Sequence, residues 1–450
     1  MKNNFRNKLY IWLSIILAVA LFFSVFNFIR KGENHDSGTS QEEARGSLAT
    51  FAKLAKNILD NRGREMTFLI LLQNNMEIRP GGGFIGSFAI IKTKGEDIVS
   101  YEVHDTGNFD ERIPDTSPMP YPMGEIFGIS AWKLRDSNYS PDFKVNAEKA
   151  MEFYYLGKGL EQFDGVIALN VSVLEKILEI TGPIELEGFP GIYDSKNVLI
   201  NLEKQVEIDF EGQGITRGDR KQVLGTFFKE LLKKIGDFSI LDKTRLFKVI
   251  TGELENKNIQ LYFKDYDLQK IAQEADWTGE VDKIWDDDYL MAVDANLGAY
   301  KSDYFVRRSM DYFIDFSGEK PKATLRLKYN HTAKEKNWFT KDYQSYLRIY
   351  VPEGSELVYF DGAVDEPRTG SDLGKTYFGG LIKVETGKEK TIEIAYNLPE
   401  KISYENYALK IQKQSGLNDI LVKITVKTGD GQAKVVESIM SKNAIIEDLK

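Results

Sequence analysis

Residues Thr67–Lys92 read TFLILLQNNMEIRPGGGFIGSFAIIK, and the reading of this stretch decides the fold. Phe68–Leu72 is a continuous apolar run, which predicts a strand buried on both faces. Asn74, Asn75, Glu77 and Arg79 follow, then Pro80 and the glycines Gly81, Gly82 and Gly83. Glycine tolerates positive φ and lets backbone or ligand come close, so the stretch predicts strand, tight turn, strand. Polar side chains and backbone N–H groups converge at that strand end, as they do at many ligand sites in α/β folds, although many such ends are only turns.

Working outward, a chain of 450 residues allows two or three domains, and 42% hydrophobic residues with 12% aromatics are enough for a large core. The absence of cysteine excludes disulfides, thiolate metal sites and cysteine nucleophiles. Leu9–Ile29 carries no charge and has the length of a membrane-spanning helix. Lys2, Arg6 and Lys8 precede it and Arg30 and Lys31 follow, which favours a cytoplasmic N-terminus. Ala18-Val19-Ala20 resembles a signal-peptidase site, but the apolar run continues well past it, and an uncleaved anchor is the expectation. Five of the 59 basic residues lie in the first 31 positions, leaving 54 against 68 acidic ones, a balance of −14 for the rest. That balance argues against nucleic acid as a partner.

The expected organisation is a cytoplasmic tip and transmembrane anchor at 1–31, a tether at 32–45, an α/β (α+β) sheet-and-helix domain at 46–300 and an all-β sandwich at 301–450. Apolar positions at helical spacing predict helices over 42–61, 145–160, 171–180, 219–235 and 266–275, with Ser239 capping another. Strands are predicted over 84–92, 98–104, 163–169, 259–263 and 289–293, the second and third of the chain joined at Lys94–Asp97. Four prolines within Thr106–Met123 predict a long surface loop. Beyond Asp303, period-two alternation such as Ala323, Leu325, Leu327 and Tyr329 predicts a sandwich.

The three histidines, His35, His104 and His331, show no metal-site spacing, and no nucleophile elbow or P-loop is present. Asp286-Asp287-Asp288 reads as a solvated turn. More informative are the arginines, acids and amides gathered at element ends. These are Arg79; Arg135, Asp136, Asn138 and Asp142; Arg217, Asp219 and Arg220; and Asn296, Lys301 and Asp303. Arginines beside helix starts can hold a phosphate, and neighbouring carboxylates can hold a divalent cation or act as base. Taken singly, each reads better as a helix cap with a surface ion pair, and their shared position at element ends is what favours a joint site.

Four pieces in this order resemble the bacterial domain of unknown function 4012 family: LLQNNMEIRPGGGFIG at 71–86, WKLRDSNYSPDF at 132–143, FDGVIALN at 163–170 and DANLGAYKSDY at 294–304. That family has no established activity, so the resemblance implies architecture. A more distant likeness is to the LytR-CpsA-Psr phosphotransferases, carried by the first strand with Arg79, the hairpin with Asp105, FDGVIALN with the following TGPIEL, and TRGDRKQVL at 216–224. It implies Arg79, Arg217 and Arg220 as phosphate ligands, and Asp105 and Asp219 as ligands of Mg2+ or catalytic bases. Val103-His104 stand where the phosphotransferase pattern has Pro-Arg.

The expectations are therefore two. One is an extracytoplasmic phosphotransferase or pyrophosphatase acting on a lipid-linked glycan. Its catalytic and metal residues would be Asp105 and Asp219, its phosphate grip Arg79, Arg135, Arg217 and Arg220. Its pocket would be lined by Asn74, Asn75, Glu77, Gly82, Gly83, Asp136, Asn138, Asp142, Asn296 and Lys301. The other is a non-catalytic envelope protein that recognises glycan or lipid head groups. Its partners would be the cytoplasmic membrane through Leu9–Ile29 and a polyprenyl-phosphate-linked glycan or cell-wall polymer.

Overall fold

The apolar run becomes the middle of strand β1, Glu65–Arg79. Leu69, Ile70 and Leu71 are fully buried there, as a strand covered on both faces requires. This computed structural model describes residues 49–58 apart from 52 and 55, and 64–447 apart from 96, 217–219 and 221. The proposed anchor Leu9–Ile29, the tether, Arg217 and Asp219 lie outside the described residues. Among the described residues, no helix is long and apolar enough to cross a membrane.

The chain divides into two compact units. One takes the described residues up to Gln73, Ile85–Pro114 and Ala150–Thr278; the other takes Asn74–Phe84, Asp115–Lys149 and Gly279 onward. The boundary thus falls at Thr278 instead of residue 300, and two segments of the expected α/β domain go to the strand-rich unit.

The first unit is α/β. Its five-stranded sheet has the order β3-β2-β1-β4-β7, with β2 at Gly82–Lys94, β3 at Asp97–Asp105, β4 at Gly165–Asn170 and β7 at Ile259–Phe263. A small hairpin of β5, Ile184–Leu186, and β6, Phe189–Tyr193, stands apart from that sheet. β1 and β4 are parallel with Phe68 opposite Gly165, β2 and β3 antiparallel, β4 and β7 antiparallel. Helix Gln222–Gly236 buries Val223, Phe227, Leu231 and Ile235, one side of a 3.6-residue period. Ser239 caps helix Ile240–Glu255, its hydroxyl accepting the Asp242 N–H at 3.2 Å. The proline-rich loop begins later than predicted. Asp105 accepts the Asn108 N–H at 2.9 Å and caps a short helix, Thr106–Asp110, before the first proline.

The second unit is strand-rich. One six-stranded sheet runs β12-β15-β10-β9-β17-β18 and the other β13-β14-β11-β8-β16-β19. Their ranges are β8 Asp288–Asn296, β9 Val306–Asp315, β10 Lys322–His331, β11 Tyr343–Pro352, β12 Glu356–Asp361 and β13 Arg368–Asp372. The remainder are β14 Lys375–Val384, β15 Glu389–Asn397, β16 Leu409–Ile411, β17 Ile420–Lys427, β18 Ala433–Met440 and β19 Ala444–Ile446. Inward residues of both sheets, among them Tyr312, Leu325, Leu347, Ile349, Phe378, Ile394 and Ile424, form one apolar core. The predicted alternation at 323–329 is the inward face of β10. The strand predicted at 289–293 exists as β8, but it pairs with β11 and β16 in this unit. Local alternation says that a strand forms, and its partner is a long-range matter.

Asp286-Asp287-Asp288 corrects the solvated-turn expectation at its last residue. Asp286 is exposed and paired with Lys401, whereas Asp288 is fully buried at the start of β8. Asp288 Oδ2 accepts the hydroxyls of Tyr312 at 2.9 Å and Tyr407 at 2.7 Å, and Oδ1 has no partner. Burial pushes this carboxyl up to about 7 against the pull of the two tyrosines. A carboxyl whose folded pKa lies above its unfolded value stabilises the fold most when protonated. Stability to denaturant is therefore expected to fall as pH rises from about 4 to about 7. Asp288→Asn should flatten that dependence in urea titrations run at successive pH values. An unchanged profile in the variant would refute this assignment.

Candidate functional site

The strand-rich unit holds most of the residues singled out in the sequence, and Glu77, Arg79, Asp136, Asn296 and Asp303 meet in one buried polar network. At the end of β1 the period of two sends Ile78 into the apolar core and turns Glu77 and Arg79 the other way. Arg79 is 2% exposed. Its Nε donates to Asp136 Oδ1 at 2.9 Å, and one terminal nitrogen donates to Glu77 Oε1 at 2.9 Å. The other donates to the Asn296 carbonyl at 2.9 Å and the Ile78 carbonyl at 3.3 Å. Burial pulls the guanidinium pKa down, but Asp136 and Glu77 outweigh it and the net shift is upward.

The network continues through backbone and side chains. The Ile78 N–H donates to Asp303 Oδ2 at 3.1 Å, and the Asn296 side-chain amide donates to the same oxygen at 2.8 Å. Arg308 reaches Asp303 at 2.7 Å and Asp294 at 2.8 Å. Gln414 closes the circuit by donating to the carbonyls of Arg79 at 3.0 Å and Asp294 at 2.7 Å. Burial raises Asp303 despite the opposing pull of Arg308 and the Ile78 N–H, so the interior holds its proton more tightly than water would.

The glycine turn is built for close approach. A Cβ on Gly83 would lie 2.1 Å from the Asn74 carbonyl carbon, and Gly82 takes φ +133°. The Gly83 carbonyl accepts the Asn138 amide at 2.7 Å, while Asn138 Oδ1 is buried without a partner. Asn75 donates to the Gly416 carbonyl at 2.9 Å, and Asn74 accepts the Met76 N–H at 3.1 Å. Asp142 is fully buried, accepting from the Val145 and Val281 N–H groups and pairing with Lys283 at 3.2 Å. Arg135 and Lys301 are half-buried at the two short 3-10 segments Leu134–Asp136 and Ser302–Tyr304.

Asp105 and Arg220 belong to the α/β unit instead. Asp105 is the helix cap already described, and Arg220 is half-buried, 3.9 Å from Glu207. Among the described residues, no group of three or more His, Cys, Asp or Glu side chains could hold a metal ion. The structure thus joins Glu77, Arg79, Asp136 and Asn296 as mutual partners, while Asn138 binds the glycine turn. Arg79 corrects the phosphate expectation: four hydrogen bonds and two carboxylates engage its guanidinium, and it is closed to solvent.

Sequence reasoning passed over Asp294, Arg308 and Gln414. A signal for the first stood in DANLGAYKSDY, where Asp294 and Asn296 share one face of β8. Arg308 lies in VRRSMDYFID, and a strand register alone could not show that it turns inward.

The fold and this network define a two-unit protein, α/β and strand-rich, whose motif residues act as internal ties. Residues 64–206 match the model of the family described as "Protein of unknown function (DUF4012)", which supports placing this part of the chain in that family. No curated protein matches the chain. Among solved structures, the Lin1025 protein from Listeria innocua is 13% identical with a TM-score of 0.24, covering 48% of this chain and 79% of its own. Legionella pneumophila aminopeptidase A in complex with aspartic acid is 19% identical with a TM-score of 0.18, over 30% of this chain and 17% of its own.

Removing Arg79 would leave Glu77 and Asp136 buried without their cation. Arg79→Met is expected to cost about 3–5 kcal/mol of stability, the penalty for breaking a buried ion pair from one side. Thermal and urea unfolding measure it; a loss under ~1 kcal/mol, the scale of an exposed pair, would show the network to be solvated.

Proposed function

We propose that this chain is a membrane-anchored, extracytoplasmic protein of the cell envelope that works by binding, with a polyprenyl-phosphate-linked glycan or cell-wall polymer as the class of partner. The observation that carries the choice of binding over turnover is the state of Arg79. A phosphate ligand must present donors to solvent, and this guanidinium is buried between Glu77 and Asp136. The motif residues around it hold β1, β8 and the 132–143 segment together, which is the work of a scaffold. Support for the compartment comes from the apolar run Leu9–Ile29 with basic residues on its N-terminal side.

A second reading retains a phosphotransferase or pyrophosphatase of LytR-CpsA-Psr type, with Mg2+ at Asp105 and Asp219. It draws on Arg220, whose guanidinium is only loosely paired with Glu207 and stays partly open. Incubation of the full-length chain with a polyprenyl-pyrophosphate substrate and Mg2+ separates the two. Binding predicts saturable co-sedimentation with isolated envelope polymer and no phosphate release. Release that drops by about tenfold or more in Arg220→Ala, a transition-state contact by that measure, would overturn the binding reading.

A further inference from the structure

The sheet β13-β14-β11-β8 has a second face, turned away from the shared apolar core. Leu347 and Ile349 enter that core, so Tyr346 and Arg348 point to the opposite side of β11. Register then places Arg348 opposite Gly379 of β14, and Gly379 opposite Arg368 of β13. Paired residues share a face, so two arginines stand in one row with a glycine between them, their backbones about 10 Å apart across two strand spacings.

Arg348 is 8% exposed, and among the described residues no carboxylate forms an ion pair with it, Asp372 acting on it only from a distance. Its guanidinium donates one bond, to the Tyr139 carbonyl at 2.9 Å, and lies 4.8 Å from the Tyr139 ring. Its Nε has no partner. The acids nearby are engaged elsewhere: Asp372 accepts the Tyr350 hydroxyl at 3.3 Å and Asp365 the Leu381 N–H at 2.7 Å. This differs from Arg79 and Arg308, each of which meets two carboxylates. With Asp372 acting only at a distance, a buried guanidinium that has no carboxylate in direct contact gains from an anion that reaches it.

The space over Gly379 carries the matching donor. A Cβ there would lie 2.3 Å from the Tyr346 hydroxyl, so only glycine lets that hydroxyl sit directly above the strand. The Tyr346 ring meets Tyr121 edge-on at 5.6 Å, and exposed Arg368 stacks on the Tyr121 ring at 3.5 Å. Arg348, the Tyr346 hydroxyl and Arg368 therefore line one row, bordered by aromatic rings.

We infer that the row Arg348–Gly379–Arg368, with the Tyr346 hydroxyl above it, binds the oxyanion of a sugar-borne group, a phosphate or a carboxylate. Guanidinium forks suit either anion. The inference deepens the binding reading above and rests on it for its physiological meaning.

Calorimetric titration of the full-length chain in non-ionic detergent tests it, with inorganic phosphate, glucuronate and glucose as probes. Saturable binding of phosphate or glucuronate, but not glucose, is expected, and the anion that binds identifies the source. Arg368→Ala, at an exposed position, should weaken it about tenfold, as loss of a charge-assisted contact does. Tyr346→Phe, which keeps the packing, should weaken it about fivefold. Unchanged melting temperatures would show both variants folded. Binding of neither anion, or equal binding by wild type and both variants, overturns the site. Polymer co-sedimentation without probe binding would remove this site and leave the binding reading standing; probe binding without co-sedimentation would do the reverse.

Discussion

The strand-rich unit depends on how one positive charge is accommodated. Arg79 sits at the end of a strand whose neighbour Ile78 must enter the apolar core, so its own side chain is committed to the opposite side. There it is closed to water, and an isolated guanidinium would be intolerable. Glu77, two residues back on the same face, and Asp136 supply the counter-charge, while two carbonyls accept the remaining hydrogen bonds. Such a group is a weak source of net stability compared with apolar packing, because desolvation offsets attraction. It constrains which segments can lie beside which, since any other arrangement strands a buried charge.

That constraint explains why polar motif residues crowd around the glycine turn. Asn138 holds the Gly83 carbonyl, Asn75 the Gly416 carbonyl and Gln414 the Arg79 carbonyl, so the turn is tied at three points. Arg308 repeats the pattern with Asp294 and Asp303. With two arginines against four carboxylates, the interior is short of positive charge, and the upward shift of Asp303 is the expected response. Arg348 is the opposite case, a buried cation with no carboxylate in direct contact among the described residues and only Asp372 acting on it from a distance.

Much of the fold was legible in the chain. The five-residue apolar run at Phe68, the helical spacing of Val223, Phe227 and Leu231, the Ser239 cap and the alternation of β10 all formed as their patterns require. These signals are local, set by the 3.6- and 2-residue periods. Of the candidate site, the gathering of Glu77, Arg79, Asp136 and Asn296 was legible as a set, but not its chemistry. Residue type does not reveal whether an arginine faces a ligand or a carboxylate of its own chain. Asp288 shows the same limit, since a run of three acids reads as surface until the register of β8 carries its last member inside.

By itself, the sequence determined where strands, helices and turns form, that cysteine chemistry is absent, and that an apolar stretch of bilayer length opens the chain. Tertiary structure alone decided that β8 belongs with β11 and β16, that Arg79 is neutralised internally, and that Arg348 and Arg368 share a row across Gly379. The physical reason is range. Periodicity acts over a few residues, whereas pairing register and burial join positions tens to hundreds of residues apart, as Arg79 and Gln414 are joined.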